Sequence, residues 1–307
     1  MLKDWVRPLV RPLPQWSTVA IAPPSRSVVA TLGWGSTRTD VTQDHTVASL
    51  NPLTIATSLD AGDRAVLEYR DSATGALLGV LHLAQAMRMT AETAPITLYR
   101  VAAGEHHCLG WPHRSWNAWL QNRSMRQHCA RHHAASDPAA VQQLMIAYLC
   151  PRPVVLVSVA GPGHQNIFPM DLIGPLTHSG LYSLALRSTN VSEPVLRQVR
   201  RAVLSSVPAS MKAVVYKLSD QHRQPLADWD ALPFPVRPSR EFGIPGVAAA
   251  LRLQELSLVH SQPLGSHTFF LGRLVSDEHW RDGTQLHHTA GFHQAYRRRR
   301  DTPFLEV

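Results

Sequence analysis

Residues 152–170 read Arg-Pro-Val-Val-Leu-Val-Ser-Val-Ala-Gly-Pro-Gly-His-Gln-Asn-Ile-Phe-Pro-Met, and they decide how the chain is parsed. The run from Val154 to Val159 is rich in β-branched residues, whose side chains pack well on a pleated surface. Pro153 bounds it on one side and Gly161-Pro162-Gly163 on the other. The pattern predicts a buried strand that closes into a hairpin, with Asn166-Ile-Phe-Pro-Met170 as the strand that answers it.

Working outward, Leu181-Tyr-Ser-Leu-Ala-Leu-Arg187 is a further strand, and Ser188 to Ser205 opens on hydroxyls and continues with helical spacing. Phe242-Gly-Ile-Pro-Gly-Val-Ala248 and Gly265-Ser-His-Thr-Phe-Phe-Leu-Gly272 follow as a loop and a strand. In this order and spacing the segments resemble the flavin reductase-like family, which folds as an FMN-binding split barrel. The likeness spans residues 148–307. It implies a mainly β (α+β) protein, with the split β-barrel at 148–307 and a smaller β-rich and helical N-terminal domain at 1–147, to which it assigns no role. It also implies FMN or FAD as cofactor, NAD(P)H as reductant and hydride transfer to flavin N5. The reduced flavin is then used in place or handed to a partner monooxygenase, and the protein is a homodimer with sites at or near the interface.

Length alone argues for two domains, because 307 residues exceed the usual single-core size. Three cysteines, Cys108, Cys129 and Cys150, are too few and too irregular for a disulfide framework, which fits a cytoplasmic protein. No apolar run reaches the roughly 20 residues of a membrane helix, and the start, with Lys3, Asp4, Arg7 and Arg11 among prolines, lacks the apolar core of a signal peptide. The formal charge of +8 is scattered apart from Arg297-Arg-Arg-Arg300, which reads as a solvated tail segment. Scattered charge suits anionic small molecules such as flavin phosphate and NAD(P)H better than nucleic acid.

In the first half, Ala65–Tyr69, Leu77–Leu83 and Ile96–Val101 predict an antiparallel meander. Trp116, Trp119 and Leu120 recur at helical spacing, and Ser136-Asp-Pro-Ala-Ala starts a second helix that ends by Pro151. No internal repeat relates this half to the second.

The strongest candidate site lies where the strand ending at Arg187 meets the next helix. Ser188, Thr189, Asn190 and Ser192 gather hydroxyls and amides at a helix N-terminus, which carries partial positive charge, and Arg187 adds a charge-assisted donor. The resemblance places the FMN phosphate there and the flavin ring along Pro169, Met170, Asp171 and Leu172. Asp171 stands where the family usually has Ser or Thr, and the Asn a few residues later and the Asp-Pro-Pro turn that usually follow are absent. A free carboxylate near the flavin pyrimidine would disfavour the anionic reduced flavin. His267 matches a family histidine able to bond flavin or approach a nicotinamide, and Phe242 belongs to the loop that covers the dinucleotide side.

Other readings use other residues. The lost Ser/Asn chemistry allows a flavin- or haem-binding protein without reductase turnover. Trp111, Trp116 and Trp119 allow a biosynthetic oxidoreductase whose N-terminal domain builds a dedicated substrate pocket, although packing of a tryptophan-bearing helix explains them more simply. The His- and Cys-bearing segment from Glu105 to His133 lacks the paired spacing of a zinc site, and no metal is expected.

Overall fold

The computed structural model describes residues 12–23, 27–92, 94–132 and 137–307, with the backbone alone for 125–132. Lys3, Asp4, Arg7, Arg11, Ser136 and the Cys129 to His133 end of the His/Cys segment fall outside the described side chains. After β1 (Trp16–Ile21) come β2 (Val28–Trp34), β3 (Thr37–Asp40), β4 (His45–Leu50), β5 (Leu53–Thr57), β6 (Arg64–Asp71), β7 (Leu77–Ala91) and β8 (Ala94–His106). Helices α1 (Trp111–His132) and α2 (Pro138–Ala147) lead to β9 (Arg152–Pro153), β10 (Val155–Gly161), β11 (His164–Met170), β12 (Ile173–Leu176) and β13 (Leu181–Arg187). Helix α3 (Glu193–Val199), β14 (Arg201–Ser206), α4 (Lys212–Lys217), β15 (Val236–Pro238), β16 (Pro245–Val247), β17 (Arg252–Leu264) and β18 (His267–His279) follow. The chain ends with β19 (Gln285–Ala290), α5 (Gly291–Arg298) and β20 (Leu305–Glu306).

The expected hairpin at 152–170 is β10 paired antiparallel with β11, and the expected meander is β6-β7-β8. The protein is mainly β. Its seven-stranded C-terminal sheet runs β11-β10-β14-β17-β18-β13-β12, which puts β11 and β12 at opposite edges although only Asp171 and Leu172 separate them. Three backbone steps reach at most about 11 Å, whereas seven strands laid flat would hold the edges about 29 Å apart at roughly 4.8 Å per strand. The sheet must therefore curl into a barrel.

The N-terminal sheet is also seven-stranded, in the order β3-β2-β6-β7-β8-β5-β4. Numbered from its own first strand, each sheet reads 2-1-5-6-7-4-3. The N-terminal barrel sheet has as many strands as the C-terminal one and repeats its topology, with residues 41–44 closing the edges as Asp171 and Leu172 do in the second barrel.

Alternation along the strands sorts the apolar residues. Val155, Val157, Val159, Phe168, Leu184, Leu186, Leu204 and Phe270 fill the C-terminal barrel. Leu156, Ile167, Val207, Val215 and Leu286 form a second layer beneath α4 and β19. Leu172, Leu176, Leu181, Ala185, Phe269 and Leu271 share one core with Val47, Ile55 and Leu67 of the N-terminal barrel. Strand β13 thus buries both faces, which is why its sequence is almost unbroken apolar. The basic run at 297–300 is not simply solvated: Arg297 lies over Phe304, Arg300 over Tyr296, and Arg299 bonds the Cys108 carbonyl.

Helix α2, capped by Asp137 accepting from the Ala139 N–H, docks on β7 and β8 where two glycines admit it. A Cβ at Gly79 would sit 2.6 Å from Leu149 Cδ1 and 3.2 Å from the Glu105 carbonyl oxygen. Gly79→Ala is expected to cost about 1–3 kcal/mol by overpacking, seen as a lower urea midpoint at unchanged m-value.

Burial holds several histidines neutral. His45, His106, His267 and His287 are lowered to about 4 and His293 to about 3, in each case chiefly by desolvation. The unfolded chain protonates more readily than the folded one below the ordinary value of 6.5, so this stability is complete above that pH and is lost as pH falls toward 4. Unfolding free energy is expected to drop steeply across this window. His293→Phe should flatten the slope by about 1.4 kcal/mol per pH unit, the effect of one proton; an unchanged slope would contradict the assignment.

Candidate functional site

The turn between β13 and α3 separates into an inward and an outward half. Inward, Asn190 and Ser192 are buried. The Asn190 amide donates to His222 Nδ1 at 2.7 Å, and its carbonyl accepts from the Ser192 N–H at 2.8 Å. Ser192 Oγ accepts from Asn166 Nδ2 at 2.8 Å and meets His164 Nε2 at 3.0 Å. These groups satisfy one another, as buried polar groups must. Outward, Arg187, Ser188 and Thr189 are exposed, and no ion pair engages Arg187 among the described residues.

The first turn of α3 holds its own acid, Glu193, but the carboxylate is spent: it accepts from the Thr268 hydroxyl at 2.6 Å and pairs with Arg197. The exposed part of the turn carries the Arg187 guanidinium, the Thr189 hydroxyl and the Ser188 hydroxyl, which donates to the Ser266 carbonyl at 3.3 Å.

Asp171 sits in the link that closes the barrel. Its Oδ2 accepts from the Tyr148 hydroxyl at 2.9 Å and lies 2.7 Å from His288 Nδ1. His288 Nε2 meets the Tyr216 hydroxyl at 2.6 Å, and Tyr216 meets the Thr18 hydroxyl at 2.8 Å. Trp16, half exposed, stacks on Tyr148. Burial opposes ionisation of Asp171, but the bond and charge of His288, the Tyr148 hydroxyl and Arg152 outweigh it and hold the carboxyl below its usual value. Tyr148 moves the other way: burial first, then the Asp171 charge, push its phenol well up. His288 thus bridges the two, its Nδ1 facing the carboxylate and its Nε2 facing the Tyr216 hydroxyl.

The remaining expected residues fall into place around these two features. Pro169 lies on β11, Met170 points into the barrel core and Leu172 into the core shared with the first barrel. His267 is buried beside Arg187, its register partner, with Nδ1 accepting from the Ser266 hydroxyl at 2.8 Å and from the Leu50 N–H at 3.5 Å. The Asp171 charge reaches both His267 and His222, so link, turn and histidine form one neighbourhood. Phe242 is placed elsewhere. Its N–H donates to Glu255, Arg201 lies over its ring, and it lines an open cleft of about 430 Å³ with Gly161, Pro162 and Val199.

Sequence reading missed His288, Tyr216, Tyr148 and His222. No local signal marks them, because they come from β19, α4 and the segments after α2 and α4 and meet only through tertiary pairing.

Three kinds of comparison bear on the chain. The family model described as the flavin reductase like domain matches residues 147–296. None of the curated proteins matches the chain. Among solved structures, similar folds include an FMN-binding protein from Thermus thermophilus with bound p-hydroxybenzaldehyde, 23% identical over 43% of this chain and 72% of that one, with a TM-score of 0.37. The NADH:FAD oxidoreductase of Streptomyces globisporus C-1027 is 20% identical over 52% of this chain and 94% of that one, with a TM-score of 0.44. The flavin reductase component of a bacterial two-component tryptophan halogenase is 19% identical over 48% and 91% respectively, with a TM-score of 0.43. Residues 147–296 of this chain thus carry a flavin reductase like domain, by their family match.

Proposed function

We propose that the protein is a flavin-dependent oxidoreductase that takes hydride from NAD(P)H onto FMN bound at the C-terminal barrel, and that the reduced flavin serves a partner monooxygenase. The observation that carries the reading is the exposed Arg187-Ser188-Thr189 turn, whose guanidinium is engaged by no ion pair among the described residues, inside the segment that matches the family. Its donors fit a phosphate dianion: one planar cation and the Thr189 hydroxyl in a loop opening a helix, while the Ser188 hydroxyl is held by the Ser266 carbonyl. The ring side fits as well, because the Asp171 carboxylate is committed to His288 and Tyr148 and does not present a free charge to a flavin pyrimidine.

Bound there, the flavin would supply the hydride-accepting chemistry. The protein's own work is alignment and electrostatics. Arg187 and the Thr189 hydroxyl hold the phosphate end. The Tyr216-His288-Asp171 chain keeps the link fixed and its negative charge tied up, while His267, neutral and buried, gives a rigid wall beside Arg187.

Titration with FMN and then with NADH under anaerobic conditions tests the proposal. Flavin uptake followed by bleaching of its visible band is expected; a protein that never takes up flavin overturns it, and uptake without bleaching favours a flavin binder without turnover. Arg187→Ala should weaken FMN about tenfold or more, the worth of a charge-assisted bond, and leave riboflavin, which lacks the phosphate, unchanged. Equal losses for both ligands would remove Arg187 from the phosphate site. His288→Ala should release the Asp171 charge toward the ring and shift the flavin midpoint potential negative by about 30 mV or more, equivalent to roughly 1.4 kcal/mol for a two-electron couple. An unmoved potential would show that the chain of hydrogen bonds only stabilises the fold.

A further inference from the structure

The two barrels meet through like parts. Their third strands, β4 and β12, face each other: a Cβ at Gly174 would lie 3.9 Å from Thr46 Cβ. The hairpin between the third and fourth strands of the N-terminal barrel meets the hairpin between the sixth and seventh strands of the C-terminal one. Asn51 N–H donates to Ser266 Oγ at 3.1 Å, and Ser266 N–H donates to the Asn51 carbonyl at 2.8 Å. On the other side the partners are the seventh strand and the closing link of the N-terminal barrel. The turn between β12 and β13 packs against β8, while Thr177 N–H donates to the Gln43 carbonyl and His178 N–H to Asp44. Arg273 of β18 pairs with Glu92 between β7 and β8. Like elements contacting one another reciprocally is the isologous arrangement of a two-fold pair of subunits. At the centre of the seam Gly265 has φ +55°, and a Cβ there would fall 2.1 Å from the Asn51 carbonyl oxygen, so no side chain fits.

The site itself is not repeated. Asp44 occupies the closing link of the N-terminal barrel as Asp171 does in the other, but it is wholly buried and accepts from Thr57, Ser58 and His178. Residues 58–63, between the fourth and fifth strands, hold no helix where the C-terminal barrel places α3.

We infer that the N-terminal barrel stands where a second subunit would, making the chain a single-polypeptide pair of barrels with one working site, braced by the Asn51–Ser266 seam. The apolar face that pairing must cover, including Leu181, Phe269 and Leu271, is already buried within the chain, so the second copy implied by the family resemblance is not needed there. The seam also reaches the proposed phosphate turn: the N–H and hydroxyl of Ser188 both donate to the Ser266 carbonyl, at 3.2 and 3.3 Å. This last link rests on the flavin reading above.

The test uses the full chain with Thr46→Cys and Gly174→Cys together, since their Cβ separation matches the roughly 3.5–4.5 Å of a disulfide. Oxidation is expected to bridge residues 46 and 174 within one chain, found by peptide mapping, with a light-scattering mass of 34.0 kDa. Covalent dimers, thiols that stay unbridged, or a dimeric mass would overturn the pairing. Ser266→Ala, which removes one seam acceptor without adding bulk, should raise the FMN Kd several-fold while the 46–174 bridge still forms. Unchanged FMN affinity would overturn the bracing of the turn. The bridge and the mass need no ligand, so a protein that refuses flavin would sink the flavin reading and leave the pairing decided by its own outcome.

Discussion

A two-residue link governs the second half of this protein. Asp171 and Leu172 must carry the chain from one edge of a seven-stranded sheet to the other, which compels the sheet to close. They also point into different surroundings. Leu172 enters the apolar core shared by the two barrels, while Asp171 meets His288 and Tyr148. Moving either residue would disturb closure, inter-barrel packing and the polar chain at once.

Charge near the turn is handled by pairing acids rather than omitting them. Glu193 is bound by Thr268 and Arg197, and Asp171 by His288 and Tyr148. Hydrogen bonds from His288 and Tyr148 favour the ionised form of Asp171. Arg187 is left as an accessible charge at the turn, and the proposed phosphate site draws on it without a basic cluster.

Much of the second barrel was legible because its information is local. The β-branched run before Gly161-Pro162-Gly163 and the nearly unbroken apolar β13 announce strands buried on both faces, and Ser188 to Ser192 announce a polar turn into a helix. The first barrel's three meander strands were readable for the same reason. Its equivalence to the second was not, because topology is set by which strands pair, and different sequences satisfy the same pairing. The Asp171-His288-Tyr216-Thr18 chain was illegible because its members lie far apart in sequence and meet only through tertiary packing. The turn itself held a subtler division: alike in sequence, Ser188 and Thr189 face solvent while Asn190 and Ser192 serve the interior, and only burial separates them.

Calorimetric titration of FMN into the full chain tests whether two barrels of one topology share a single working site. One FMN per 307-residue chain is the expected stoichiometry. Two per chain would mean that the N-terminal barrel has kept a site despite its buried Asp44, and none would mean that the C-terminal barrel is not a flavin site.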